Sequence, residues 1–209
     1  MKKTKEDSFI CIISGVYSNI ETVLSFPEGK FIEIDMGCGK GSFSTKLAKK
    51  YPERHIFSAD VMIGRLRKLV KRNQRENVEN ITPLRVDAKQ LLGYMLPDSS
   101  IGRIHMLCPD PWPKDRHKGK RLLCSDFLSK IYRVLTDGGV FHFATDDINY
   151  FEGVKNVFSN AWGFERDDSG IEDISDVKSD FEERWLEDGR KVNHIAWRKK
   201  EMPFFSVGH

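Results

Sequence analysis

The chain has 209 residues, of which 39% are hydrophobic and 31% charged, with 34 lysines and arginines against 31 aspartates and glutamates. That length suits one domain of ordinary size, and the balance excludes a disordered or fibrous chain. A formal net charge of +3 is too mild to demand nucleic acid by itself, and no apolar run approaches the ~20 residues of a membrane-spanning helix.

Residues 1–30 read as an N-terminal arm without a clear element pattern. Phe9 to Val16 is a short apolar stretch behind Lys2 and Lys3, but Glu6 and Asp7 precede it and no small-residue cleavage site follows. It reads as mature chain rather than a secretory leader. Residues 31–209 read as the folded domain. There the spacing predicts a strand over Phe31 to Met36, a helix over Ser42 to Lys50, a strand over His55 to Ala59 and a helix from about Ile63 to Gln74. A third strand, Thr82 to Val86, precedes a short helix at Ala88 to Met95. A fourth strand, Ile101 to Cys108, is followed by a basic loop and a helix around Phe127 to Leu135. A fifth strand, Gly139 to Ala144, leads to a helix over Phe151 to Phe158. Such alternation implies βαβ units and a mostly parallel α/β sheet with helices on both faces. After Asn160 the pattern changes, and Trp162 to Arg166 with Lys191 to Trp197 suits a closing antiparallel pair. On the Ile63 helix, Met62, Leu66, Leu69 and Val70 are expected to face the sheet, leaving six basic residues between Arg65 and Arg75 outside. The cysteines at 11, 38, 108 and 124 lie far apart without a C-x-x-C pair, so they read as reduced thiols of a cytoplasmic protein rather than a zinc site.

The first strand ends in Asp35-Met-Gly37-Cys-Gly39-Lys-Gly41. The glycines permit a sharp turn and close approach of a ligand to the backbone. Position 42 is serine, which breaks the dinucleotide G-x-G-x-x-G phase, and Lys40 is followed by Gly41, which breaks the P-loop pattern. The remaining fit, D-x-G-x-G-x-G, is the spacing of S-adenosylmethionine methyltransferases. Asp60 ends the second strand, where an acid can accept from ribose hydroxyls. Asp87 ends the third, where it can accept from an adenine amino group or simply cap the next helix.

Cys108-Pro-Asp110-Pro-Trp112-Pro-Lys114 follows the fourth strand. Its prolines stiffen the backbone around Asp110. Trp112 offers a face for base stacking, and the run Lys114, Arg116, His117, Lys118, Lys120 and Arg121 can grip phosphates. Asp146 after the fifth strand and Glu182 in Ser179-Asp180-Phe181-Glu182 suit a guanine edge, whose N–H groups a carboxylate can accept.

With these motifs, the sequence resembles the bacterial tRNA (guanine-N7)-methyltransferases over roughly residues 31–198. The most specific marks are Pro109 to Lys114 with Arg116-His117 and Lys120-Arg121, Ala144-Thr-Asp146 with Tyr150, and Ser179 to Glu182. The resemblance implies a Rossmann-like class I methyltransferase with a seven-stranded sheet. It implies S-adenosylmethionine as donor, S-adenosylhomocysteine as product, and guanine 46 of the tRNA variable loop as target. It assigns Asp35, Asp60, Asp87 and Asp110 to the donor site, beside the turn of Gly37, Gly39 and Gly41, with Asp110 also the proposed active-site residue. Trp112, Lys114, Arg116, Asp146, Ser179, Asp180, Phe181 and Glu182 fall on the substrate side. The family commonly has glutamate where Asp35 and Asp60 stand, and threonine where Ser179 stands. The partner expected is tRNA, with no membrane, and the enzyme a monomer or homodimer.

Guanine N7 carries a free lone pair, so its methylation removes no proton and needs neither a general base nor a metal. Three other readings remain open: an RNA-binding protein with an inactive methyltransferase fold, a methyltransferase of exocyclic nitrogens, whose Asp-Pro-Pro-aromatic motif is matched only in its first pair, and a small-molecule methyltransferase.

Overall fold

Eight strands form one sheet in the computed structural model, which describes residues 4–13, 26–109 and 125–201. In chain order they are β1 (Cys11–Ile12), β2 (Ile32–Met36), β3 (His55–Asp60), β4 (Ile81–Arg85), β5 (Ile101–Leu107), β6 (Leu135–Thr145), β7 (Phe164–Arg166) and β8 (Asn193–Lys199). Their spatial order is β1-β4-β3-β2-β5-β6-β8-β7. Every pairing from β1 to β6 is parallel, and β8 pairs antiparallel with both β6 and β7. The order reverses between β2 and β5, the crevice where open α/β sheets hold ligands at the carboxyl ends of their strands.

The sheet has one strand more than the seven expected. The addition is β1, whose two residues set Cys11 opposite Leu84 and Ile12 opposite Arg85. A strand so short carries no readable alternation. The arm before it forms a 3₁₀ turn at Lys5–Phe9.

The helices are α1 (Ser42–Lys50), α2 (Ile63–Glu76), α3 (Ala88–Gln90, continued by a π turn at Leu91–Met95), α4 (Ser125–Val134), α5 (Ile148–Ser159) and α6 (Asp180–Glu187). On α2, Ile63, Leu66, Leu69 and Val70 are buried. Met62, expected on the same face, is 51% exposed because it precedes the first turn as the N-cap residue. The basic face of α2 acts largely as a fastening. Arg67 pairs with Asp7 at 2.8 Å, Lys71 approaches Glu6, and Arg72 reaches Asp180 at 2.6 Å. The helix thereby ties both the N-terminal turn and α6 to the domain.

The two faces of the sheet differ in chemistry. Ile34, Met36, Ile104, Met106, Phe141, Phe143, Ile195 and Trp197 belong to one large apolar cluster. A second cluster joins Phe43 and Leu47 of α1, Leu66 and Leu69 of α2, Ile174 and Val177. Because side chains alternate along a strand, the residues between the first set turn to the second side. They are Glu33, Asp35, Arg103, His105, His142 and His194, so a polar band crosses the middle of an otherwise apolar interior.

Candidate active site

The turn after β2 is built by backbone geometry. Gly37, Gly39 and Gly41 have φ of +77°, +57° and +72°, a region costly for side-chain-bearing residues. Gly37 and Cys38 both donate their N–H to the Ala59 carbonyl, at 2.9 and 3.0 Å, which locks the turn to the end of β3. A Cβ at Gly37 would meet nothing within 4 Å, so the space above the turn is open, whereas one at Gly41 would lie 2.1 Å from Leu69 Cδ1. Gly41→Ala is therefore expected to cost about 1–3 kcal/mol through the left-handed backbone and the displaced core leucine. Thermal unfolding should show a fall in Tm of ~2–12 °C, and an unchanged Tm would contradict the close packing.

Two carboxylates flank this turn. Asp35 is 3% exposed and accepts from Ser44 Oγ of α1 at 2.5 Å. No basic side chain pairs with it among the described residues. Burial, opposed by the Ser44 hydrogen bond and aided by the nearby Asp60 charge, pushes its pKa up to about 6. Asp60 is 5% exposed. It accepts from the N–H of Gly39 at 3.1 Å and of Met62 at 2.7 Å, with Arg65 3.4 Å away. Asp60 thus shapes the glycine turn as well as edging the crevice. Asp87 is exposed and caps α3, accepting from Lys89 and Gln90 N–H at 2.8 and 3.3 Å.

On the substrate side, β5 is followed by Cys108, a non-glycine residue with φ of +49° whose N–H donates to the Ala144 carbonyl at 2.7 Å. Burial pushes its thiol up to about 12. The next residues carry the proposed chemistry, but Asp110, Trp112, Lys114 and Arg116 lie outside the described residues. Asp146, one residue past β6, is paired with Arg190. Ser179 caps α6 by accepting the Glu182 N–H at 3.1 Å. The Asp180 carboxylate is taken up by Arg72, while its N–H receives Ser42 as acceptor at 2.9 Å. That last bond seats the start of α6 directly on the residue after the glycine turn. Phe181 is 52% exposed, whereas Glu182 is only 4% exposed. Burial works to raise the Glu182 pKa, but hydrogen bonds from His194 and Lys178 outweigh it and hold the carboxyl below its ordinary value.

The sequence reading passed over His105, His142 and His194, which connect this region to Glu33. Their signal was present. Central parallel strands, buried on both faces, normally read as continuous apolar runs. Here β2 places Glu33 and Asp35, and β5 places Arg103 and His105, at alternate positions, while β6 and β8 add His142 and His194 on the same side.

A doubly wound, mainly parallel sheet with an open glycine turn and two buried acids at its switch point defines a Rossmann-like methyltransferase. A family described as "Putative methyltransferase" matches residues 30–195. A tRNA (guanine-N(7)-)-methyltransferase of Lactobacillus delbrueckii subsp. bulgaricus is 32% identical over 182 residues, covering 83% of this chain and 82% of the relative. The corresponding protein of Neisseria gonorrhoeae is 31% identical over 207 residues, covering 97% and 82%. That of Thermotoga maritima is 33% identical over 168 residues, and there the alignment spans 80% of this chain but only 54% of the relative. The chain belongs to the tRNA (guanine-N7)-methyltransferase family. Among solved structures, the 16S rRNA methyltransferase KamB superposes with a TM-score of 0.61 at 16% identity, covering 88% of this chain and 98% of that one. The tRNA (m1A58) methyltransferase TrmI from Aquifex aeolicus gives 0.55 at 14%, covering 90% and 66%. At such identities the superpositions speak for the fold alone.

Proposed function

We propose that this chain transfers a methyl group from S-adenosylmethionine to N7 of a guanine in cytoplasmic tRNA, at position 46 of the variable loop. The observation that carries the donor half is the pair Asp35 and Asp60. Two carboxylates are buried at neighbouring strand ends around an open glycine turn, and one of them lacks a cationic partner among the described residues. The amino group of a methionine moiety supplies such a cation, and a ribose supplies the hydroxyls that suit Asp60, so the residues fit this donor. Gly37, Gly39 and Gly41 keep the backbone clear beside it, and Asp87 and Asp110 complete the proposed set. When bound, the donor supplies an electrophilic methyl on a sulfonium and leaves as S-adenosylhomocysteine.

The protein's task is then positional. Guanine must be held with its N7 lone pair in line with the methyl group while water is kept out, an arrangement that can contribute ~7–11 kcal/mol in favourable cases. As the methyl moves, positive charge appears on the purine, and a fixed carboxylate stabilises it electrostatically. Asp110 is assigned that role. Glu182 and Asp146 are assigned to the N–H groups of the guanine edge. Trp112 is assigned to stacking, Lys114 and Arg116 to phosphate, and Ser179, Asp180 and Phe181 to framing the pocket. Among the described residues no helix is long and apolar enough to cross a membrane, and no group of three or more His, Cys, Asp or Glu could hold a metal ion.

Asp35 gives donor binding a pH dependence of defined sign. With its carboxyl raised to about 6 in the free protein, a cationic amine must displace a proton below that pH. Donor affinity should fall by close to tenfold per unit well below pH 6 and level off above it, until the amine itself loses its proton at about pH 8. Calorimetric titration with S-adenosylmethionine at several pH values, in buffers of different ionisation enthalpy, reads both the affinity and the released proton. No proton release at pH 5 would remove Asp35 from the amine site.

The whole reading is tested by incubating the protein with labelled donor and unmodified tRNA transcripts, then cleaving with borohydride and aniline at 7-methylguanosine. A cut at the variable-loop guanine is expected. Label at an exocyclic nitrogen, or no label despite donor binding, would replace the proposal with one of the other readings.

A further inference from the structure

Four buried side chains and the half-buried His194 form one hydrogen-bonded row across the sheet. Glu33 Oε2 is 2.8 Å from His105 Nε2, and His105 Nδ1 is 3.0 Å from His142 Nδ1. His142 Nε2 is 3.0 Å from His194 Nδ1, and His194 Nε2 is 2.9 Å from Glu182 Oε1. Every ring nitrogen of three histidines is committed, and both ends are carboxylates. The row runs from the middle of β2 to the proposed guanine-facing edge.

A proton count fixes what the row must hold. Four contacts require four protons. Each neutral imidazole carries one and an ionised carboxylate none, so three neutral histidines are one proton short. The direction is set at the Glu33 end. Burial opposes ionisation of Glu33, but His105, Arg103 and Arg54 together bring its pKa down to about 2, so it can only accept. His105 must then carry its proton on Nε2 and accept at Nδ1. His142 must donate from Nδ1 and accept at Nε2, and His194 must donate from Nδ1. That leaves His194 Nε2 facing another acceptor, Glu182 Oε1. The contact exists only when one more proton is present.

We propose that His194 is the imidazolium that closes this row and so acts as a positioning residue, pinning Glu182 as an ionised acceptor for the guanine edge. The assignment of Glu182 to guanine rests on the function proposed above; the proton count does not. The surroundings agree on where the charge sits. Burial drives His105 and His142 toward the neutral form, whereas the His194 side chain is 27% exposed and touches a carboxylate. At the far end the charged neighbours are Arg54 and Arg103, with Asp173 bridging them. At the near end they are Lys178, 3.0 Å from the same Glu182 oxygen, and Cys108 with Arg190 beside it. Both described bonds to the Glu182 side chain fall on Oε1. Oε2 is therefore the oxygen left for a substrate N–H, with its direction fixed from behind. Without that proton the last contact has no donor, and among the described residues the Glu182 side chain keeps only Lys178.

Uniform ¹⁵N-histidine labelling of the full chain, with long-range proton–nitrogen spectra from about pH 6 to 9, tests the count directly. Expected are an Nε2–H tautomer for His105 and an Nδ1–H tautomer for His142, both unchanged with pH, and two protonated nitrogens on His194 that become one on the alkaline side. Glu33→Gln supplies the discriminating variant. Its amide can donate to His105 Nε2 and accept from Arg54, which reverses the row and satisfies all four contacts with neutral rings. In that variant the tautomers of His105 and His142 should switch and the His194 imidazolium should disappear. In kinetics, KM for tRNA should rise about tenfold on the alkaline side, the scale of one charge-assisted hydrogen bond, with a smaller change in kcat. His194→Gln, which keeps a donor but cannot titrate, should flatten that limb. A neutral His194 at pH 6, or tautomers that ignore Glu33→Gln, overturns the proposal. A chain that methylates no tRNA guanine while the spectra come out as expected overturns only the assignment of Glu182 to substrate.

Discussion

Asp60→Ala is expected to raise the dissociation constant for S-adenosylmethionine by ~10²–10⁴-fold. The carboxylate is buried at the end of β3 and its two oxygens already hold the turn, Oδ2 by the Gly39 N–H and Oδ1 by the Met62 N–H. Truncation removes the proposed ribose acceptor and frees the middle glycine in one step. Hydrogen bonds to a charged group contribute ~1.5–3 kcal/mol each, and two of them to a pair of hydroxyls account for the range given. Arg65 loses little, because its side chain is 51% exposed and an exposed pair contributes below about 1 kcal/mol. Asp60→Asn should fall between, since an amide oxygen can keep one N–H but its NH₂ opposes the other. Asp60→Glu, the side chain common in the family, should retain most of the affinity. Calorimetry with S-adenosylmethionine and S-adenosylhomocysteine gives the comparison, with Tm recorded to separate binding from folding. An alanine variant that binds the donor normally would take Asp60 out of the donor site.

The sequence carried most of the scaffold because its elements are long enough to show a period. The helix read over Ser42 to Lys50 is observed with those bounds, and the antiparallel pair at the C-terminal end is β7 with β8. The glycine turn and the acids at 35 and 60 were legible as a candidate site because they coincide at neighbouring strand ends, the edge where α/β sheets hold ligands. Two things were hidden. Pairing partners at long separation leave no local trace, so nothing near Arg67 or Arg72 announces Asp7 or Asp180, and a basic helix face looked free where much of it is a clasp. Glu182 was legible as a candidate base reader but not as a buried group, because its surroundings depend on His194 arriving from β8 and on Lys178, which precedes the α6 cap. Asp87 shows the limit from the other side: the same spacing serves a ligand or a helix cap, and here the cap is made.

Glu33→Ala should be the most damaging single change to stability, by about 3–5 kcal/mol, because it breaks a buried ion network from its centre. Glu33 is fully buried. Oε1 accepts from Arg54 Nη1 at 2.8 Å, and Oε2 faces both His105 at 2.8 Å and Arg103 at 3.5 Å. Arg103 is only 8% exposed and its Nε has no hydrogen-bond partner among the described residues, so it has little solvent to turn to. Asp173 can hold both guanidiniums from the other side, at 2.9 and 3.1 Å, but it cannot fill the space beneath the sheet. For a chain of this size the loss corresponds to a Tm lower by ~6–20 °C. The acid limb supplies a second, independent reading. A carboxyl depressed to about 2 in the fold, from an ordinary value of 4.5, contributes stability that is present above the unfolded value and is lost as pH falls toward the folded one. Wild-type Tm should therefore drop between about pH 4.5 and 2 more steeply than that of Glu33→Gln, which has no proton to take up there. Parallel slopes in calorimetry would mean that the ionised form of Glu33 does not hold the network. The histidine row would then lose the fixed end from which its direction is set.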